Sequence, residues 1–485
     1  MKKRYSRSGR LAAIAAMLIA VCTLFAACAN VSGITELDPE QFNLGTSSLV
    51  IDESSQDVPT PAGYTEAPTV EQMVNITPST VAVYGHCEPD SVIRVYGGAG
   101  ESETGSYGDY FVICAEINGS RSLLEITAQA EGKQESLPRQ FIAEYNATAD
   151  KRLDGNSVSV GAGSRLYFDK YADAVEGKNL YTASELVKIK EYITNTITAY
   201  AFDRAKGQEA ELIVCLIPSA TTVYDEILPE EGIEHANTTI YDQILNAVKG
   251  TRATLVDMRE EFLALRDEEE TKEYGGLYRI TDSALSDYGA YLTYKAIMDK
   301  VAVRFPESLP RDISEFNIET VKGVKGGNLV GYRGFDATKF TEDIVKFSPK
   351  FTLQLGTNST SSSSIIALRK YVDKDNKDYN YFTKNDSRDK INGIAENWFI
   401  DTARSETMTL PTALVYRDYA SYSFSDILAE RFEKCVLGRG GDFAINISKA
   451  MQKTYLREGQ NVVDYVILIL SEESFESAFS LALTD

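Results

Sequence analysis

The sequence is poor in histidine and in positive charge. It contains two histidines, His86 and His235, among 485 residues. Any catalytic triad or histidine-rich metal site must use one of these two or do without. Asp and Glu number 71 against 49 Lys and Arg, which gives a formal net charge of −22. Because nucleic-acid binding requires a basic surface, this balance excludes a nucleic-acid partner.

Long apolar runs are missing after residue 27. The one such run, Leu11 to Ala27, follows a basic start and has the order of an export signal. Residues 24–28 read Leu-Phe-Ala-Ala-Cys, which resembles a bacterial lipobox with Cys28 as the lipidated residue. Phe25 stands where Leu is usual, so cleavage by the ordinary signal peptidase is an open alternative. We predict a signal peptide over 1–27 and an extracytoplasmic protein that reaches the bacterial cell membrane through its lipid anchor only.

Composition divides the rest of the chain into three parts. Residues 28–67 are polar and aperiodic, which predicts a flexible tether. Residues 68–146 contain short alternating segments separated by turn residues, which predicts a small all-β sandwich. The segment 83–95 also resembles bacterial Ig-like modules, and that resemblance implies a spacer or adhesive domain without chemistry of its own.

The cysteines leave one pairing open. Cys87 and Cys114 both lie in the predicted sandwich and could form a disulfide outside the cell. Against this pairing, the apolar alternation Phe111, Ile113, Ala115 places Cys114 on the opposite face of its strand. The sequence therefore predicts a candidate disulfide and does not decide it.

From about residue 150 to 485 the pattern becomes an alternation of strands and helices. Thr182 and Glu185 form a capping box that should open a helix running to about Ala205. Continuous apolar segments, such as Glu211 to Pro218 and Tyr465 to Leu470, are typical of strands buried on both faces. These features predict an α/β domain with a largely parallel sheet. Residues 326–405 fit this pattern poorly and are predicted to be an irregular insertion.

Several segments of this α/β domain resemble one family in the right order. Residues 281–295, Thr-Asp-Ser-Ala-Leu-Ser-Asp-Tyr-Gly-Ala-Tyr-Leu-Thr-Tyr-Lys, resemble the Asp-x-His-Trp block and following helix of the DHHW and alginate O-acetyltransferase group of the SGNH hydrolase superfamily. Residues 415–419, Val-Tyr-Arg-Asp-Tyr, resemble its nucleophile block. The resemblance implies an SGNH-hydrolase-like (flavodoxin-like) parallel sheet and descent from enzymes that acetylate glycans.

The residues that would carry the chemistry are replaced. The family's nucleophilic serine falls on Tyr419 and its histidine on Ala284, whereas Asp282 and Asp418 remain. Alanine has no group that can take a hydroxyl proton, so a Ser-His-Asp mechanism is excluded at these positions. His235, in an acidic loop, is the fallback base. The sequence therefore predicts a degenerate active site with no intact catalytic residue.

The sequence is compatible with three functions. The favoured one is a catalytically degenerate surface lipoprotein that binds cell-surface polysaccharide or peptidoglycan, or a partner in its modification. The first alternative is an O-acetyltransferase or esterase that acts on surface glycans with rearranged residues. The second is an adhesive or structural protein that acts through the Ig-like domain. The sequence predicts no metal site and no cofactor in any of the three.

Overall fold

The computed structural model describes residues 59–149, 158–197, 202–203, 208–228, 233–350, 396–401, 410–429, 431–432, 434–439 and 464–483. The predicted signal peptide over 1–27, Cys28 and most of the tether over 28–67 lie outside this part of the chain.

The N-terminal strands form two antiparallel sheets that face each other. One sheet has the order β1-β2-β5 and the other β4-β3-β6-β7. They share an apolar core that includes Val83, Ile93, Phe111, Leu124 and Phe141. This layered arrangement agrees with the sandwich expected from the sequence, although β1 and β4 were missed. The strands are β1 Thr69–Thr77, β2 Thr80–His86, β3 Ser91–Tyr96, β4 Ser102–Gly105, β5 Tyr110–Glu116, β6 Arg121–Ala130 and β7 Arg139–Glu144.

The candidate disulfide is absent. Cys87 and Cys114 are free thiols. Cys87 packs against the core between the two sheets, whereas Cys114 packs against the larger core of the α/β domain. The two side chains therefore serve different layers, as the alternation on β5 indicated, and a disulfide would require one of them to change faces.

A six-stranded sheet forms the centre of the α/β domain. Its order is β13-β12-β19-β17-β18-β16, and all neighbours are parallel except β16, which pairs antiparallel with β18 at the edge. The apolar runs predicted as buried strands lie at the centre of this sheet. They are buried on both sides, because helices cover both faces of the sheet. The strands of this sheet are β12 Glu211–Ile217, β13 Thr254–Asp257, β16 Glu396–Asp401, β17 Thr412–Arg417, β18 Lys434–Arg439 and β19 Tyr465–Ser471. Two short antiparallel pairs precede it along the chain: β8 Val158–Val160 with β9 Leu166–Phe168, and β10 Phe202–Asp203 with β11 Gln208–Glu209.

The strand order is a permuted form of the flavodoxin-like order. Numbered along the chain, the five parallel strands read 2-1-5-3-4 across the sheet, which differs from the flavodoxin-like order 2-1-3-4-5. If the count instead starts at β17, continues through β18 and β19 and ends with β12 and β13, the order becomes 2-1-3-4-5, which is flavodoxin-like. The strands are therefore arranged in space as in the flavodoxin-like sheet, but the order in which the chain forms them begins at a different strand.

Side-chain caps open three of the helices. The capping box predicted at Thr182–Glu185 is confirmed, a second box lies at Thr239–Asp242, and Ser286 caps a third helix. The expected extension of the first helix to Ala205 is wrong: it ends at Glu191, continues as a π-helical turn to Ile197, and is followed by the strand Phe202–Asp203. No helix among the described residues is both long and apolar enough to cross a membrane. The α-helices are Asp169–Val175, Ala183–Glu191, Ala220–Val223, Ile240–Lys249, Met258–Leu265, Glu269–Glu273, Asp287–Arg304, Asn328–Arg333, Ser425–Ala429 and Phe475–Leu483.

The predicted irregular insertion over 326–405 is wrong at both of its ends. Its first part belongs to a hairpin of β14 Phe316–Lys325 and β15 Thr341–Pro349, with the helix Asn328–Arg333 between the strands. Its last part is β16, the antiparallel edge of the main sheet. Residues 351–395, including most of the predicted insertion, lie outside the described residues.

The sandwich packs directly on this hairpin, and the two share one apolar core. The Tyr84 ring of β2 stacks on Phe340 with ring centroids 3.9 Å apart, and Tyr110 meets the same ring edge-on. Gln72 and Asp336 exchange two hydrogen bonds between side-chain and backbone groups. The sandwich is thus part of the same packed body as the α/β domain.

Candidate functional site

The site lies at the carboxyl ends of β17 and β19. In open parallel sheets ligands bind at these ends, beside the point where the strand order reverses, and in this sheet that point falls between β17 and β19. Asp418 and Tyr419 follow β17 directly, and Glu472 and Glu473 follow β19. The residues singled out on β17 by the sequence therefore lie at the switch point of the sheet.

Asp282 and Tyr419 meet at this edge. The Tyr419 hydroxyl donates a hydrogen bond of 3.1 Å to Oδ2 of Asp282, a residue 137 positions earlier in the chain. Asp282 is 6% exposed and Tyr419 is 37% exposed. The two positions that the sequence resemblance predicted as the acid and the nucleophile are thus in direct contact, and the contact lies at the boundary between the interior and solvent.

The loop around Asp282 fixes the carboxylate. Its Oδ1 accepts a hydrogen bond of 3.0 Å from the Ala284 amide, and its Oδ2 accepts one of 3.3 Å from the Asn328 amide. The Asn328 side chain in turn clamps Ser283, accepting from its amide and donating to its hydroxyl. The hairpin helix Asn328–Arg333 therefore holds the site loop in place through its first residue.

Asp418 has a different environment and does not join Asp282. Its carboxylate accepts hydrogen bonds from the backbone amides of Ala420 and Ser471, at 3.1 and 2.5 Å, and from the Ser474 hydroxyl at 2.8 Å. These contacts tie the end of β17 to the end of β19. Asp418 is thus engaged in shaping the edge of the sheet, and its carboxylate oxygens already have partners.

Neither remaining candidate brings a base to Tyr419. Ala284 lies beside Asp282, but its side chain is a methyl group that cannot accept a proton. His235 is exposed on a loop that is fastened to the helix Asp169–Val175 by a bond from the Ala236 amide to the Val175 carbonyl. Among the described residues no hydrogen bond connects His235 to Asp282 or Tyr419. Within the same residues, no group of three or more His, Cys, Asp or Glu side chains is placed to hold a metal ion.

A small cavity opens beside Asp282. Its volume is about 10 Å³, which is room for one water molecule. Polar side chains line it: Tyr171, Arg279, Asp282, Ser283 and Glu473. Sequence reasoning missed Glu473, although an acidic pair directly after a fully apolar strand was a usable signal, because such a pair lies at the binding edge of a parallel sheet.

The pKa of Glu473 lies well above that of an ordinary glutamate. Burial raises the pKa of its carboxyl to about 8, while the Tyr171 hydroxyl and Lys170 favour the ionised form and Asp418 and Asp282 oppose it. The carboxyl is therefore largely protonated at neutral pH. It can donate a hydrogen bond, whereas the Asp282 carboxylate accepts three.

Arg279, one of the residues that line this cavity, forms an ion pair behind it. Arg279 pairs with Glu342, a buried residue of β15, and its Nη1 lies 4.0 Å from Oδ2 of Asp282. Burial raises the pKa of Glu342, and the Arg279 guanidinium opposes that rise. The hairpin thus contributes charge to the site as well as the Asn328 clamp, and neither contribution was expected from the sequence.

Replacement of Glu473 by glutamine should stabilise the protein in a pH-dependent way. A carboxyl whose folded pKa is about 8 binds a proton in the folded state that the unfolded chain has lost above about pH 4.3. Wild-type stability therefore falls, through this group, as pH rises from about 4.3 to 8. We expect Glu473→Gln to raise the free energy of unfolding by roughly 1–3 kcal/mol at pH 8 and by little at pH 4.5. Urea unfolding at both pH values checks this, and Glu476→Gln, an exposed change nearby, should have little effect.

A model of one known protein family matches part of this chain. Residues 180–354 match the family model described as SGNH hydrolase-like domain, acetyltransferase AlgX. The match confirms the SGNH hydrolase-like fold predicted for this part of the chain. The narrower DHHW assignment and the Ig-like resemblance stay predictions.

Three solved structures are similar at low sequence identity. Bacillus cereus PatB1 shares 13% identity with a TM-score of 0.42, covering 67% of this chain and 98% of its own. The O-acetyltransferase domain of Pseudomonas putida AlgJ shares 15% with a TM-score of 0.37, covering 66% and 92%. Pseudomonas aeruginosa AlgX shares 12% with a TM-score of 0.37, covering 65% and 61%. No curated protein matches the sequence.

Proposed function

We propose that the protein is an extracytoplasmic, lipid-anchored surface protein whose α/β cleft binds a cell-surface glycan, such as peptidoglycan, or a partner in its modification, without Ser-His-Asp catalysis. The observation that carries the proposal is the hydrogen bond from Tyr419 to Asp282. In a triad the carboxylate orients a histidine, and that histidine takes the proton of the nucleophile. Here the carboxylate receives a phenol and two backbone amides, and Ala284 supplies no base.

The glycan as ligand is supported by descent and by the chemistry of the cleft. The matching family model is that of an acetyltransferase, and one similar structure is an O-acetyltransferase domain. Tyr419 presents a partly exposed ring at this edge, whereas Tyr167 and Tyr171 line the cavity but are buried. A tyrosine ring can stack on a sugar face while its hydroxyl forms hydrogen bonds, so the exposed face of Tyr419 suits a glycan.

The lipid anchor is supported by the sequence alone. The basic start, the apolar run and the residues before Cys28 have the order of a lipoprotein signal. An acyl chain on Cys28 followed by the tether over 28–67 would hold the acidic body away from anionic headgroups.

A second candidate, an O-acetyltransferase or acetylesterase with rearranged residues, is favoured by one observation. Glu473 has a pKa of about 8 and lines the same cavity as Asp282 and Ser283. A carboxyl with such a pKa is suited to proton transfer near neutral pH. In this reading Glu473, rather than His235, would be the acid–base group.

Hydrolysis and binding assays on the same variants separate the two candidates. We expect the purified protein to bind peptidoglycan in a sedimentation assay and to leave p-nitrophenyl acetate at the buffer rate. Asp282→Asn should weaken sedimentation about tenfold, because it removes a charged hydrogen-bond acceptor. His235→Ala should change neither readout, and it serves as the matched control.

Acetyl-ester hydrolysis that Asp282→Asn or Tyr419→Ala abolishes would contradict the binding proposal. Loss of that activity in Glu473→Gln with normal activity in His235→Ala would support the rearranged enzyme. Loss in His235→Ala would instead return the exposed histidine to the mechanism.

A further inference from the structure

The cavity beside Asp282 has the chemistry of a site for a single hydroxyl group. Its volume of about 10 Å³ admits one water-sized group and excludes a sugar ring. Asp282 lines it as an acceptor. Glu473 lines it from the end of β19, and at neutral pH it is a donor. A hydroxyl group has one proton to give and lone pairs to receive, so it satisfies both carboxyl groups at once.

Tyr419 already forms one of these two hydrogen bonds, the one to Asp282. Its phenol donates to Oδ2 of Asp282 while its ring remains more than one third exposed. A phenol is a hydroxyl on a six-membered ring, and a pyranose presents its hydroxyls in the same way. Because the ring is exposed, it can leave the carboxylate without breaking the buried core.

Resting on the glycan-binding function proposed above, we propose that Asp282 and Glu473 form a subsite for one sugar hydroxyl, and that the ligand binds by displacing the Tyr419 phenol from Asp282. Tyr419 is then a competitor that holds Oδ2 of Asp282 until the ligand arrives. The ligand class that fits is a neutral, hydroxyl-rich glycan strand, because an anionic group here would meet the Asp282 carboxylate, and the nearby Arg279 is already paired with Glu342.

The surroundings of Glu473 determine how this subsite responds to pH. Lys170 and Tyr171 approach it from the helix Asp169–Val175, Asp418 from the end of β17, and Asp282 from the site loop. Two arginines, Arg165 and Arg279, also line the cavity. Burial dominates and keeps the carboxyl protonated below about pH 8. Above that pH two carboxylates share the cavity and the donor is lost, so ligand affinity should fall.

The test is calorimetric titration of the chain from residue 28 with chitotetraose, a neutral β-1,4-linked tetramer of N-acetylglucosamine. Tyr419→Phe removes the competing hydroxyl and keeps the ring, so we expect it to bind about three- to tenfold more tightly than wild type. Asp282→Asn should bind at least tenfold more weakly. Tyr145→Phe, at an exposed tyrosine of the sandwich, should match wild type.

Two further measurements test the role of the ligand hydroxyl and the role of the Glu473 proton. Per-O-methylated chitotetraose keeps its amide N–H groups but has no hydroxyl to donate, so we expect no binding at the hydroxyl subsite. Wild-type affinity should fall severalfold between pH 6.5 and pH 9, whereas Glu473→Gln, whose amide donates at both pH values, should lose little.

The outcomes separate this inference from the proposed function. If wild type binds and Tyr419→Phe is equal or weaker, displacement is wrong while glycan binding stands. If the methylated sugar binds as well as the free one, the hydroxyl subsite is wrong. If neither wild type nor Tyr419→Phe binds chitotetraose or peptidoglycan, the glycan-binding function itself is wrong.

Discussion

Replacing Phe340 with alanine is expected to lower the free energy of unfolding by about 3–5 kcal/mol. The ring is fully buried where the sandwich meets the hairpin, stacked on Tyr84 and edge-on to Tyr110. Its loss leaves a cavity that the two domains must close together, because residues of both line it. Urea unfolding followed by circular dichroism measures the change.

Two variants serve as controls for this prediction. Leu309→Ala, at a side chain that is 56% exposed, should cost less than about 0.5 kcal/mol. Tyr84→Phe keeps the stacked ring and removes a hydroxyl that contacts His86 and Thr341, so about 0.5–1.5 kcal/mol is expected. A cost below about 1 kcal/mol for Phe340→Ala would mean that the sandwich and the hairpin do not share a core.

The same packing bears on the adhesive alternative. A fragment of residues 68–146 would expose Tyr84 and Tyr110, which are buried in the whole chain. Binding by the sandwich is therefore better tested in the full chain, with substitutions on its exposed strands, than in the isolated fragment.

The second large effect is expected at Gly327, where alanine should disrupt the site. A Cβ there would overlap the Asp282 side chain and lie 2.6 Å from the Thr281 carbonyl oxygen. Either the site loop or the hairpin must move, and both support Asp282. We expect a loss of about 1–3 kcal/mol in stability and a loss of glycan binding at least as large as that of Asp282→Asn.

Gly331 provides a matched control four residues further on. A Cβ at this position meets nothing within 4 Å, and the residue lies inside the helix Asn328–Arg333. Gly331→Ala should leave binding unchanged and raise the free energy of unfolding by about 0.5–1 kcal/mol, because alanine loses less backbone entropy in a helix. Equal binding by the two alanine variants would contradict the role assigned to the hairpin.

Local signals in the sequence predicted the parts of the fold that local interactions determine. The capping boxes at Thr182 and Thr239 mark real helix starts, and the apolar runs at Glu211 and Tyr465 mark central strands. The hairpin of β14 and β15 was missed because its strands are mostly polar and exposed. They are positioned by a few contacts, such as Phe316 and Phe347 against the helix Asp287–Arg304.

The residues of the site also divide into those with a local signal in the sequence and those that depend on long-range contacts. Asp282 and Tyr419 could be singled out because each lies in a segment with a recognisable order of residues. Arg279 and Asn328 could not, since their role depends on contacts between distant segments, the site loop and the hairpin. Glu473 had one local signal, the acidic pair after β19, but its place in the cavity beside Asp282 depends on such contacts as well. Charge and proton affinity in a cavity arise from such long-range contacts, and no spacing along the chain records them.

The permuted strand order has a consequence for how the molecule is assembled. β12 can pair with β13 early, but its other edge pairs with β19, and Ser219 and Glu472 at the ends of these two strands are 253 residues apart. The centre of the sheet is therefore completed by the last of the described strands, β19, and an unpaired apolar edge persists until that strand arrives. Non-local pairing of this kind slows folding and leaves an edge open to aggregation in the meantime.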